Sequence, residues 1–165
     1  MSKSAIRHAR PEDMEAIATL NIAAFGGPDE AGIVRQLADD GKSLVSLVAL
    51  EDEEIVGHIQ FFPVLVDGRD IAAGLGPMSV APDRQRKGIG RKLIIAGMPL
   101  MEREGRGLVF VLGHTDYYPY FGFSPQVAER YEAPWSGPAF MGIELRLDTP
   151  RTGKLTYPKA FTQTA

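Results

Sequence analysis

With 165 residues, 44% of them hydrophobic and 24% charged, the chain has the size and balance of one soluble globular domain with a sizeable core. It contains no cysteine, which excludes disulfides, a thiolate zinc site and a cysteine nucleophile, and no apolar run nears the ~20 residues of a membrane span. A net charge of -3 speaks against general nucleic-acid binding, and no apolar signal core is present, so a cytoplasmic protein without membrane or nucleic-acid partners is expected.

In chain order, Ala5 to His8 reads as a short first strand. Arg10-Pro11-Glu12-Asp13 has the early proline and acids of a helix start, and Met14, Ile17, Ala18, Ile22 and Phe25 give that helix one apolar face. Gly26-Gly27-Pro28 ends it, and a second helix is predicted from Asp29 to Ala38. Leu44 to Leu50 and Ile55 to Val64 flank Asp52-Glu53-Glu54 and predict an antiparallel hairpin. Asp67-Gly68 marks a second turn, leading into a strand that ends at Val80 and is closed by Pro82-Asp83.

Apolar residues at helical spacing from Ile89 through Leu93, Ile94, Gly97, Leu100 and Met101 predict the main helix, ending near Glu104-Gly105. Pro99 lies inside it at a cost of ~3 kcal/mol, and because the spacing continues past it a kink is expected rather than an end. Leu108 to Leu112 reads as a buried strand, Gly113 to Tyr120 as a loop or short helix, and Phe140 to Leu147 as a last strand after the Gly137-Pro138 break. This order implies an α/β (α+β) fold, a mixed central sheet with helices on both faces. A single domain over residues 1–165 is expected, with a core of about 4–147 and a C-terminal extension over 148–165.

The most informative stretch is Gln85-Arg86-Lys87-Gly88-Ile89-Gly90-Arg91, between the strand ending at Val80 and the main helix. A glycine-bearing turn that feeds a helix start aims unpaired backbone N–H groups at one spot, which suits phosphate. Helix N-termini favour Asp and Glu, yet Arg84, Arg86, Lys87, Arg91 and Lys92 crowd this one. Glycine pairs are common between strand and helix, and a basic run is often only a solvated face. A basic cluster in an otherwise acidic chain favours a pyrophosphate cradle. Neither Gly-x-Gly-x-x-Gly nor a Gly-Lys-Ser/Thr loop is present, which weakens the case for other nucleotide-binding enzymes.

The string Leu75-Gly76-Pro77-Met78-Ser79-Val80-Ala81-Pro82-Asp83-Arg84-Gln85-Arg86-Lys87-Gly88-Ile89-Gly90 resembles the acetyl-coenzyme A motif of the GNAT superfamily of N-acetyltransferases. That motif runs Gln or Arg, two residues, Gly, one residue, then Gly or Ala, after a Val-x-Pro strand end. Downstream, Tyr118-Pro119-Tyr120-Phe121-Gly122-Phe123 is similar to the family's Tyr-x-x-hydrophobic-Gly-Phe segment, in the right order and at the right separation. Gly76-Pro77 and Gly113 through Phe123 resemble the YhbS-like branch.

The resemblance implies the GNAT acyl-CoA N-acyltransferase fold, acetyl-CoA as co-substrate and no metal. It also implies direct attack on the thioester, in a ternary complex, by a primary amine of a small molecule or protein. For the donor it points to the backbone of Gln85, Arg86, Lys87, Gly88, Ile89 and Gly90, with Arg86, Lys87 and Arg91 adding charge. Met78, Ser79 and Val80 would line the pantetheine arm, with their side chains otherwise reading as core strand. His114 and Phe121 complete the donor set, Phe121 also reading as a packing residue.

Tyr118 takes the position of the acid that protonates the departing thiolate. Tyr117 and Tyr120 stay open for that role, and a buried structural tyrosine is the plainer reading of Tyr118. Relatives place a Glu on the strand before the cradle, but Leu75 to Val80 has no carboxylate. For a general base this leaves His58, His114, Asp116, Glu30 or ordered water. Phe25, Glu30, His58 and Asp116 are the acceptor-side candidates, with His58 also reading as a core histidine. A homodimer is open. The alternative function is a non-catalytic acyl-CoA sensor, which the missing strand carboxylate favours.

Overall fold

The computed structural model describes residues 3–162. The main elements are β1 (Ser4–His8), α1 (Met14–Phe25), α2 (Asp29–Asp39), β2 (Val45–Glu51), β3 (Glu54–Val66) and β4 (Arg69–Val80). They continue with α3 (Ile89–Arg103), β5 (Leu108–Leu112), α4 (Pro125–Ala128), β6 (Tyr131–Glu132), β7 (Phe140–Glu144) and β8 (Gly153–Thr156). The sheet order is β1-β2-β3-β4-β5-β7, and β8 pairs with both β3 and β6. The β4–β5 and β6–β8 pairs are parallel and the others antiparallel.

Strand alternation sends neighbouring side chains to opposite faces and so builds two cores. On one face Leu47, Ile59, Phe61, Leu75, Val109 and Val111 lie beneath Leu93, Ile94 and Met101 of α3. A Cβ on Gly97 would come within 2.4 Å of the Phe61 ring, so the glycine lets α3 settle directly on the sheet. On the other face Phe62, Val64, Ala72, Leu108 and Phe110 meet Leu37, Phe140, Leu155 and Tyr157. Val48 there contacts Ile17 of α1 and Val34 of α2.

Helix α3 runs through Pro99 to Arg103. The last large strand is shorter than its apolar pattern predicts, because its partner β5 begins at Leu108 opposite Glu144, and Leu147 is fully exposed. Gly113 to Tyr120 is a loop that enters a 3₁₀ turn at Tyr118–Phe121. Residues 148–162 contribute β8 and bury Leu155 and Tyr157 in the second core. The two short strands β6 and β8 carry too little apolar pattern to be read from sequence. Among the described residues, no helix is long and apolar enough to cross a membrane.

One irregularity creates the cleft. The β4–β5 ladder ends at Leu75 opposite Val111, while β4 itself continues to Val80. Just past that point Gly76 and Pro77 together oppose the single Gln60, since Leu75 pairs with Phe61 and Met78 with Ile59. A bulge of this kind bends the strand that carries the extra residue. The Gln60 amide ties this part of β3 to β2 by donating to Val45 O at 3.3 Å, and it also donates to its neighbour Phe61 O at 3.0 Å. The result is a strand end, Gly76 to Val80, without a β5 partner.

Candidate active site

A cleft of about 1080 Å³ opens where β4 and β5 part, and at one end it meets the start of α3. Gly88 is the N-cap of α3 with φ +86°, a left-handed conformation that glycine adopts without strain. It has no side chain to offer, and no side chain caps the helix, whose first turn contains no acid. The leading N–H groups of α3 therefore have neither an intrahelical acceptor nor a capping one. Arg86, Gly88, Ile89, Gly90 and Arg91 all line the cleft at this end, as does Gln85, whose amide donates to Val80 O at 3.1 Å. Backbone donors, the positive helix end and two guanidinium groups converge there, a combination suited to a pyrophosphate.

Two basic residues of the same stretch are used differently. The Arg84 guanidinium pairs with Glu51 at 3.1 Å and Asp83 at 2.8 Å, which ties the turn to β2 and raises the Arg84 pKa, chiefly through the Glu51 hydrogen bond. Lys87, expected at the donor site, lines a second groove with Lys92, Ile6 and Glu51. Arg86 and Lys87 thus line different, neighbouring grooves, a distinction invisible in a run of basic letters.

Met78, Ser79 and Val80 line the middle of the cleft along the free edge of β4, and His114, Asp116, Tyr117 and Tyr118 face them from the loop after β5. The tyrosines are not equivalent. Tyr118 is buried to 7% exposure and packs edge-on to Tyr117 and Phe123, with Gly113 beneath it leaving no room for a Cβ. Burial, and next the neighbouring Tyr117, push its pKa up to about 12. The Tyr117 hydroxyl lies beside the phosphate turn, 3.2 Å from where a Cβ of Gly90 would stand. Burial raises the Tyr117 pKa, and Arg91 opposes the rise. Tyr120 is 88% exposed and does not line the cleft. Phe121 does not line it either, but braces Tyr117 from behind at 5.3 Å between ring centroids.

Of the acceptor-side candidates, Phe25 at the end of α1 and Glu30 in the first turn of α2 line the cleft. His58 does not. It is fully buried opposite Ser79 in the β3–β4 ladder, and its Nε2 shares a 2.8 Å hydrogen bond with Ser46 Oγ. Burial lowers its pKa to about 4, so the ring is neutral. His58 Nδ1 and Ser79 Oγ are buried without a hydrogen-bond partner among the described residues.

Ile33 and Trp135 fall within the segments that the family resemblance assigns to the acceptor pocket, Phe25 to Leu37 and Tyr117 to Trp135, but sequence reasoning missed Phe62, Tyr157 and Phe161 on the same wall. Those three come from β3 and the end of the chain, and no local pattern joins them. No group of residues suited to holding a metal occurs among the described residues.

Known proteins agree with this geometry. The acetyltransferase (GNAT) domain family matches residues 5–126. The N-acetyltransferase YjhQ of Escherichia coli strain K12 is 35% identical over 76% of this chain and 73% of its own length. The crystal structure of Escherichia coli YhbS, a GNAT family N-acetyltransferase in complex with CoA, superposes with a TM-score of 0.91 at 29% identity, covering 100% of this chain and 95% of that one. A GNAT family acetyltransferase from Brucella melitensis in complex with acetyl-CoA gives 0.83 at 35% identity, covering 96% and 98%. A parted parallel strand pair, an uncapped basic helix start beside it and these matches over most of the chain lead to one conclusion: the chain belongs to the GNAT superfamily of N-acetyltransferases.

Proposed function

We propose that this chain transfers the acetyl group of acetyl-CoA to a primary amine by direct attack in a ternary complex. The observation that carries the reading is the continuity of one cleft from the uncapped start of α3, along the free edge of β4, to the side-chain wall between α1 and α2. Similarity to proteins solved with CoA and with acetyl-CoA supports the donor end.

In this reading the N–H groups at Gly88 to Arg91 and the Arg86 and Arg91 guanidinium groups bind the pyrophosphate. The unpaired edge of Gly76 to Val80 aligns the pantetheine arm by strand-like hydrogen bonds, and a backbone N–H near Met78 faces the thioester carbonyl. The amine nitrogen bonds to the acetyl carbon, the C–S bond breaks, the amine proton leaves through water, and Tyr118 supplies the proton that ends on sulfur. A phenol held at about 12 stays protonated throughout the working range, so it is always ready to donate. Thioesters are already activated, so no covalent nucleophile is needed.

The test is amine-dependent release of free thiol from acetyl-CoA, with mass-spectrometric detection of the acetylated amine. Wild type gives both, and Tyr118→Phe retains acetyl-CoA binding with slowed release. Thiol release that no amine accelerates would contradict the reading.

A further inference from the structure

The acceptor end of the cleft differs in chemistry from the donor end. Its wall is formed by Phe25, Ile33, Phe62, Trp135, Tyr157 and Phe161. Phe62, Trp135, Tyr157 and Phe161 form a connected set, with Phe62 and Phe161 centroids 4.3 Å apart, Trp135 and Tyr157 4.7 Å, and Phe62 and Tyr157 5.6 Å. Phe25 is 45% exposed, an ungenerous place for a phenyl ring unless something covers it. Among the described lining residues, α1, α2 and the C-terminal segment add one charged group, the half-buried Glu30 carboxylate, and no Lys or Arg; the other lining carboxylate, Asp116, belongs to the loop after β5 that faces the middle of the cleft.

We infer that the acceptor is a monocationic primary amine on a short linker to an aromatic or bulky apolar group. Taking that proposed transfer function as given, the wall supplies apolar area and ring faces for a flat body, while one carboxylate suffices to draw in a single ammonium group. Polyamines and amino sugars need several carboxylates and hydrogen-bond acceptors for their extra charges and hydroxyls. This wall would leave those groups desolvated and unpaired. The cationic end faces Glu30 on approach, and the apolar body lies along Phe25 and Trp135.

The experiment compares kcat/KM for tryptamine and phenethylamine with that for spermidine, kanamycin and a lysine peptide at saturating acetyl-CoA. The aromatic amines lead by about 10-fold or more. Phe25→Ala and Glu30→Gln each raise KM for tryptamine by about 5- to 10-fold, with calorimetric affinity for acetyl-CoA unchanged. Phe25 is exposed enough that its loss leaves the fold intact, which a CD melt checks. A lead for spermidine, kanamycin or the peptide, or a KM for tryptamine unmoved by both variants, overturns the inference and leaves acetyl transfer standing. Acetyl-CoA binding without turnover of any amine overturns the transfer reading, and this inference falls with it.

Discussion

The two ends of the cleft are made of different materials. The donor end is mostly backbone, consisting of a left-handed Gly88, the uncapped first turn of α3 and a β4 edge freed by the Gly76-Pro77 bulge. The acceptor end is mostly side chain, with rings from α1, β3 and residues beyond 130 meeting beside Glu30. Backbone recognition depends on a few glycines at fixed spacing and suits a ligand that never changes. Side-chain recognition can be rewritten one residue at a time, which suits an acceptor that differs among relatives sharing one fold. Such a division predicts that variants at the two ends separate donor affinity from acceptor selectivity.

The largest effect is expected between the two ends, where the proposed transfer takes place. Tyr118→Phe lowers kcat by about 100-fold or more, the usual scale for removing a positioned proton donor, while calorimetric acetyl-CoA affinity stays within about 2-fold. A loss confined to affinity would make Tyr118 a part of the donor wall instead.

Next is the glycine cap. Gly88→Val places a β-branched residue at φ +86°, where strain of about 1–3 kcal/mol opposes the native turn. Acetyl-CoA affinity falls about 10- to 100-fold, whereas amine selectivity measured at saturating donor does not move.

The paired arginine and lysine sharpen the donor end further. Arg91→Gln weakens acetyl-CoA about 5- to 10-fold and flattens its salt dependence, and Lys87→Gln changes it less than about 2-fold because Lys87 lines the neighbouring groove. Equal losses would place both side chains at the ligand.

The smallest effect is a feature of the pH profile. Because burial raises the Tyr118 pKa to about 12, its proton is present at every pH below that value and lost only above it. The rate therefore rises with pH as the acceptor amine deprotonates, and Tyr118 adds no falling limb below about pH 11. A falling limb at high pH that disappears in Tyr117→Phe and persists in Tyr118→Phe would assign the acid to Tyr117.

How much of this the sequence disclosed follows the same division. The strand-turn-helix around Gly88 is local, and spacing and turn residues located it, including the break at Pro82 and the length of α3, whereas the tyrosine segment was found by its resemblance to the family's motif. What local pattern could not supply was direction. Arg86 and Lys87 are adjacent letters that line different grooves, and Tyr117 and Tyr118 are adjacent rings of which one reaches the turn at Gly90 and the other packs in the core. His58, an acceptor-side candidate, sits on the sheet face beneath α1 with its Nε2 held by Ser46, because the period of the strand turned it inward. The aromatic wall was only partly within reach, through Phe25 and the segment ending at Trp135. Tyr157 and Phe161 line the same cleft as Phe25 only because β8 pairs with β3 and brings the end of the chain back to the sheet.

The measurement that tests the account most directly is a calorimetric titration of the purified protein with acetyl-CoA, with NAD and ATP as controls and Gly88→Val in parallel. The account predicts saturable micromolar binding selective for acetyl-CoA, weakened at least about 10-fold by the substitution. Absence of binding to the intact wild-type protein, or binding that Gly88→Val leaves unchanged, would contradict a donor site built on the backbone at the start of α3.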